Sequence, residues 1–310
     1  MRGLIFSLNN TLSRWQSTID VGATSGLFLR VLAATALINL IWLLPIADQV
    51  WGVDYFIILH SPFHGVKQAF LLLRIPEMRA YYGWFLYPCM FLLLMQAFGV
   101  SNFLSRLLNW IIYANLHHAN YEMHNGGLDL LYNLLFLSIF LFEVKESVPT
   151  RWASAKRLIH HLAFYSIWMQ IGLLYFSSGI HKLLGEHWLK GDAIFITLHL
   201  DEFTLPWIKT NLVYNNWFLV LSTWLSLAYQ LLFVFLIWVK KTRTVFLAFG
   251  LLFHLAIAFI VGVTDFGLIM IASYTIFLSP KKAAKLLQAL TISRWRRNRA
   301  QAKIMVGTGD

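Results

Sequence analysis

The sequence predicts an all-α membrane protein of about eight transmembrane helices, with a re-entrant or interfacial segment at the outer face. Three observations predict it. The 310 residues are 58% hydrophobic and only 13% charged, too apolar for an ordinary soluble domain. Several apolar runs reach the ~20 residues that cross about 30 Å of hydrocarbon as a helix. The 25 Lys and Arg, against 14 Asp and Glu, collect in short segments between those runs, which suits membrane topology better than a nucleic-acid surface.

In chain order the runs lie near 26–46, 82–99, 103–118, 128–143, 159–183, 217–239, 245–262 and 265–280, the third being the least apolar. Segments 1–25, 100–106, 144–158, 240–244 and 281–310 together carry 18 Lys and Arg, whereas the opposite set, Lys182 included, carries 6. The positive-inside rule then puts both termini in the cytoplasm of a multi-pass cell-membrane protein. The expected divisions are a cytoplasmic N-terminal segment 1–25, a transmembrane domain 26–280 and a basic cytoplasmic tail 281–310. Arg2 and Arg14 precede the first run without the compact order of a cleaved signal, so the first span is expected to stay. In the tail, Leu286, Leu287, Leu290 and Trp295 alternate with cations, as in a helix lying on the inner leaflet or in a solvated topogenic tail. Within 184–216 the run Ala193 to Leu200 is too short to span, which marks the re-entrant or interfacial element. The single cysteine, Cys89, excludes an intrachain disulfide and a thiolate metal cluster.

This topology sends His60, His64, His117, His118, His124, His181, His187 and His199 to the outer side, leaves His160 and His161 inside and puts His254 in mid-span. Chemistry is therefore expected at the outer face. The fifth run ends in an ionisable pair, His181 and Lys182. At 3.6 residues per turn Leu173, Phe176, Ile180 and Leu184 share one face, suited to lipid. Gln170, Ser177 and His181 fall beside Tyr175, Ser178 and Lys182 on the other. A lysine in a low-dielectric pocket has its charged form disfavoured, which makes it a usable general base. A lysine this near a helix end also snorkels as a plain anchor. Both readings stand on the sequence.

Two further stretches are candidates. His124-Asn125-Gly126-Gly127-Leu128-Asp129 opens the fourth run, where paired glycines permit close backbone approach and helix N–H groups bind an oxyanion; a simple helix cap by Asn125 or Asp129 explains the same letters. His254, nine residues into its run, lines a site or bonds a neighbouring span. Arg30 is expected to reach back toward the inner headgroups or to pair with a carboxylate. No metal site is predicted: Pro62 interrupts the His60/His64 pair and no HExxH pattern occurs. Nor is there a Walker loop, a dinucleotide fingerprint or a GxSxG elbow.

The pattern Tyr175-Phe176-x-x-Gly179-x-x-Lys182-Leu183, followed by Trp188-x-x-Gly191, resembles the core motif of the vitamin K-dependent gamma-carboxylase family and its shorter bacterial relatives, the horizontally transferred transmembrane (HTTM) domain proteins. Asn125-Gly126-Gly127-x-Asp129 upstream, and Phe253-His254 and Asp265-Phe266-Gly267 downstream, continue the resemblance over roughly residues 25 to 280. It implies that Lys182 is the base that deprotonates a membrane quinol of the vitamin K type, with His181 beside it where the carboxylase has a second lysine. It further implies that Tyr175, Trp188, His254 and the segment from His124 or Asn125 to Asp129 bind substrate or cofactor. The implied activity is a quinol-using, carboxylase-like or epoxidase-type enzyme, a lyase by class, acting on a peptide or lipid at the outer face. The alternative is a non-enzymatic maturation or export partner for a secreted peptide, as proposed for short relatives of the sporulation-delaying protein B type. Lipid bilayer contact is common to both, and nucleic acid is not expected.

Overall fold

The computed structural model describes residues 21–53, 71–119, 125–142, 151–200 and 216–290, and among these there are helices and turns but no strand. In chain order the α-helices are α1 (Gly22–Leu43), α2 (Ala47–Trp51), α3 (Gly83–Ala97), α4 (Phe103–Ala119), α5 (Gly126–Ser138), α6 (Arg151–Leu183), α7 (Glu186–Lys190), α8 (Ala193–His199), α9 (Asn216–Leu236), α10 (Lys240–Ala256), α11 (Thr264–Ser273) and α12 (Pro280–Leu290). Among the described residues, three stretches are long and apolar enough to cross a membrane: Gly22–Trp51, Asn216–Leu236 and Lys240–Val261. Three shorter helices are as apolar in character: Gly83–Ala97, Gly126–Ser138 and Thr264–Phe277. The predicted runs 103–118 and 159–183 fall in α4 and α6.

Helix α4 shows why its run is the least apolar. It buries Arg106, Asn109, Asn115 and His117, and a buried polar group is tolerable only when it is bonded. Arg106 Nη2 donates to the Leu141 carbonyl at 3.0 Å, just past the end of α5. Asn109 Oδ1 accepts from Cys89 Sγ at 3.3 Å, and Asn115 Oδ1 accepts from the Leu72 N–H at 2.7 Å. At the other end, Arg74 Nε donates to the His118 carbonyl at 3.3 Å and Arg79 Nη2 to the Ala119 carbonyl. Two cations thus close the C-terminus of α4, where the helix dipole is negative.

Around this, α1 packs on α3, α11 and α12, while α6 lies along α9. Two glycines set the α6–α9 distance: a Cβ on Gly179 would lie 2.8 Å from Leu231, and one on Gly172 3.1 Å from Val234. Small residues at such a seam let the backbones approach in the way membrane helices require. One continuous apolar core runs through Phe28, Leu32, Leu131, Ile171, Phe233 and Met270. Helix α10 continues into a π-helical turn, Ile257–Val261, and stops at Gly262, whose φ of +82° is the left-handed conformation that ends helices.

The lipid-suited face of α6 is exposed at Leu173, Ile180 and Leu184. The expected polar face divides: Tyr175 is buried and Ser178 and Lys182 are half-buried, whereas Ser177 and His181 are exposed. Arg30 lies at the turn after α3, where Gly99 has φ +83° and a Cβ would overlap the guanidinium. In α12, Ala283 is buried and Leu287 reaches Gly26 of α1, with Lys281, Lys282 and Lys285 exposed. The first part of the basic tail is therefore a helix seated on α1.

Candidate functional site

Three sequence motifs meet at Phe266, the first of them more than a hundred residues before the other two. Asn125 caps α5: its Oδ1 accepts from the N–H groups of Gly127 at 2.9 Å and Leu128 at 3.1 Å. Its Nδ2 donates to Asp265 Oδ2 at 2.6 Å, tying α5 to the start of α11. Gly127 is pressed against that segment, and an added Cβ would lie 2.9 Å from the Phe266 Cα. Gly126 has room, its nearest neighbour being 3.9 Å away on the Phe266 ring. His254 also touches this ring, with ring centroids 5.5 Å apart. A Cβ on Gly267 would meet the His254 carbonyl, so the third motif requires its glycine for this close approach.

His254 is 1% exposed and belongs to a buried polar network. Its Nε2 lies 2.5 Å from the Tyr175 hydroxyl, which also bonds the Tyr274 hydroxyl; Tyr274 in turn lies 2.9 Å from the Tyr229 hydroxyl. The network joins α6, α9, α10 and the 3-10 turn Tyr274–Phe277, and Gly250 has no Cβ because the Tyr229 and Tyr274 hydroxyls occupy that space. His254 Nδ1 is buried without a hydrogen-bond partner among the described residues, which leaves one donor or acceptor site of the cluster uncommitted among them.

Beside Asp265, a cavity of about 360 Å³ opens between α1, α2, α4, α5 and α11. Asp265 and Asn39 supply polar groups to its wall and Trp42, Trp51 and Tyr113 supply rings. His117 also faces it, but its Nε2 is 3.3 Å from Asp129 Oδ1 and its ring stacks on Tyr132 at 4.7 Å. Asp129 thus pairs with α4 in addition to favouring the first turn of its own helix.

Lys182 is elsewhere, at the end of α6 and outside the cavity lining. It is half-buried; its Nζ donates to Ser178 Oγ at 2.7 Å and sits 5.0 Å from the centre of the Trp188 ring of α7. No carboxylate among the described residues is within ion-pair distance of it. His181 turns outward and its Nδ1 bonds the Ser177 carbonyl at 2.8 Å. The predicted residues therefore fall into groups: Tyr175 with His254; Asn125, Gly126 and Gly127 against Asp265 and Phe266, with Asp129 of the same helix paired to His117; and Lys182 with Trp188. His181 stands apart from all three, and His124 lies outside the described residues. Sequence reasoning did not single out Asp265, Tyr229, Tyr274 or His117 as site residues. Asp265 stands in the quoted Asp265-Phe266-Gly267 motif, and mid-run tyrosines are a legible signal for hydroxyls that must find partners inside a bundle. Among the described residues, no group of three or more His, Cys, Asp or Glu is arranged to hold a metal ion.

The family model described as HTTM domain matches residues 28–281. The chain is similar to sporulation-delaying protein SdpB of Bacillus subtilis (strain 168), 26% identical over 206 residues, and the match spans 63% of each of the two chains. It is also similar to the protein YitO of the same organism, described as uncharacterized, 22% identical over 296 residues that span 89% of this chain and 92% of YitO. No solved structure matches.

Proposed function

The chain belongs to the HTTM domain family, and from that premise we propose that it is an eight-span enzyme of the cell membrane, both termini cytoplasmic, that uses a membrane quinol and acts on a peptide or lipid at the outer face. The observation that carries this reading is the setting of Lys182. A half-buried amine that, among the described residues, has the Ser178 hydroxyl as its hydrogen-bond partner and no carboxylate within ion-pair distance lacks a counter-ion among them to keep it charged. A snorkelling anchor would instead carry its ammonium out to water or headgroups.

The residues around Lys182 suit a quinol. Lys182 Nζ lies over the Trp188 ring, 5.0 Å from its centre, so a quinol ring packed beside the indole would bring its hydroxyl to the amine. When bound, the quinol would supply reducing equivalents and an acidic hydroxyl. Lys182 would take the hydroxyl proton as a neutral amine, and the Trp188 face would stabilise the resulting ammonium by cation–π attraction. Ser178 orients the amine. His254 and the Asn125 region, both packed on Phe266, would form the substrate end, where His254 Nδ1, without a partner among the described residues, would polarise a developing oxyanion. The test is oxygen-dependent turnover of a quinol by the purified protein in lipid nanodiscs.

A second reading is favoured by the similarity to a sporulation-delaying protein: a non-enzymatic maturation or export partner of a secreted peptide. A stable peptide complex without quinol turnover supports that reading against the first.

A further inference from the structure

The cavity beside Asp265 has a chemistry that the base at Lys182 does not use. Asn39 is 8% exposed and lines the cavity, yet it has no hydrogen-bond partner among the described residues. Asp265 receives one bond, from Asn125, and no described cation is within ion-pair distance of it. Both line the cavity with side chains that carry acceptor oxygens, and the aromatic side chains of Trp42, Trp51 and Tyr113 line it beside them. An anion would be repelled by Asp265, and a purely apolar guest would leave the carboxylate and the amide uncompensated. The complement is a compact cation with N–H donors on an apolar body. At about 360 Å³ the space suits a head and the start of a tail.

The direction of entry is also legible. Trp42, which lines the cavity, is 51% exposed, and Ile38 and Ile41 beside it on α1 are exposed too. This wall of the cavity is therefore also part of an apolar outer face of the bundle, where a guest can enter sideways from the bilayer. We propose that the cavity binds the primary ammonium head of a membrane amphiphile, with Asp265 and Asn39 accepting its N–H bonds and the three rings flanking it. This deepens the substrate end of the reading above by naming its class, and it is independent of Lys182.

The experiment is native mass spectrometry of the full chain released from detergent after addition of phosphatidylethanolamine, with phosphatidylcholine and phosphatidylglycerol of the same tails as comparisons. The wild type is expected to retain phosphatidylethanolamine at least about tenfold better than the other two, the scale of one charge-assisted hydrogen bond. Asp265→Asn keeps an acceptor for Asn125 but removes the charge, and Asn39→Leu removes the amide; each is expected to lower retention to the phosphatidylcholine level. Equal retention of all three lipids by the wild type overturns the proposal, as does unchanged retention in either folded variant. Preferential binding of a short peptide with a free N-terminal amine, with no lipid preference, overturns the lipid assignment. Retention is read without turnover, so failure here leaves the Lys182 reading to be judged on its own test.

Discussion

The Tyr175 hydroxyl and His254 Nε2 lie 2.5 Å apart although 79 positions separate the two residues in the chain. The bond links α6 to α10 in the interior of the bundle, and the two further tyrosines behind it make the cluster a shared polar core for four elements. Two separately quoted motifs, one around Tyr175 and one around His254, are thereby parts of a single structure.

That bond predicts a measurable coupling. His254→Phe and Tyr175→Phe are each expected to destabilise the purified protein by about 1–3 kcal/mol, because each leaves a buried polar partner short of a bond. Their combination should cost less than the two separate losses by ~0.5–3 kcal/mol. Thermal unfolding of the three variants in one detergent decides the matter, and strictly additive losses would show that the two groups do not interact.

The adjacent glycines of α5 are predicted to behave differently. A Cβ at position 127 collides with the Phe266 backbone at 2.9 Å, whereas one at 126 finds its nearest atom at 3.9 Å. Gly127→Ala is expected to cost roughly 1–3 kcal/mol through overpacking, and Gly126→Ala to be neutral or slightly stabilising, since alanine is the better helix former. Similar losses at both positions would mean that α5 and Phe266 are not packed as described.

The topology is checked with an impermeant thiol reagent on intact cells, in a background where Cys89 is replaced. From the 18-to-6 asymmetry of basic residues, cysteines at Asn216 or Glu122 are expected to label from outside, and those at Thr242 or Gly307 to remain protected. Labelling of Thr242 from outside would reverse the orientation and move the cavity and Lys182 to the cytoplasmic side.

Much of the helical class was legible because apolar runs and charge-bearing joints are one-dimensional signals. The lipid face of α6 at Leu173, Ile180 and Leu184 follows directly from the 3.6-residue period. What the period does not fix is how far a polar stripe turns inward: Ser178 and Lys182 are half-buried and bonded to each other, with Lys182 against Trp188 of α7, while Ser177 and His181, one position earlier, are rotated by about 100° into the exposed surface. The site around Phe266 was legible only as letters. Asn125, Gly127 and Asp129 read equally as a cap or as an anion site, and the structure contains the cap, with Asp265 as its second partner. The tyrosine network was not legible, because the pairing of Tyr175 with Tyr274 and His254 depends on which helices are neighbours, and helix packing in three dimensions is not written in any local window.

If Lys182 is a base, Lys182→Arg and Lys182→Ala must behave alike. A base accepts a proton only when neutral, so quinol turnover by the wild type is expected to rise with pH as Lys182 loses its proton. Arginine keeps the charge and stays protonated, so Lys182→Arg is expected to be about as inactive as Lys182→Ala, each down by ~10²–10⁴ in rate, with an added small amine partly restoring the alanine variant. Both variants are to be compared in protein shown to insert and fold normally. Turnover restored by arginine, with no rescue of the alanine variant by the amine, would contradict the account and make Lys182 an anchor.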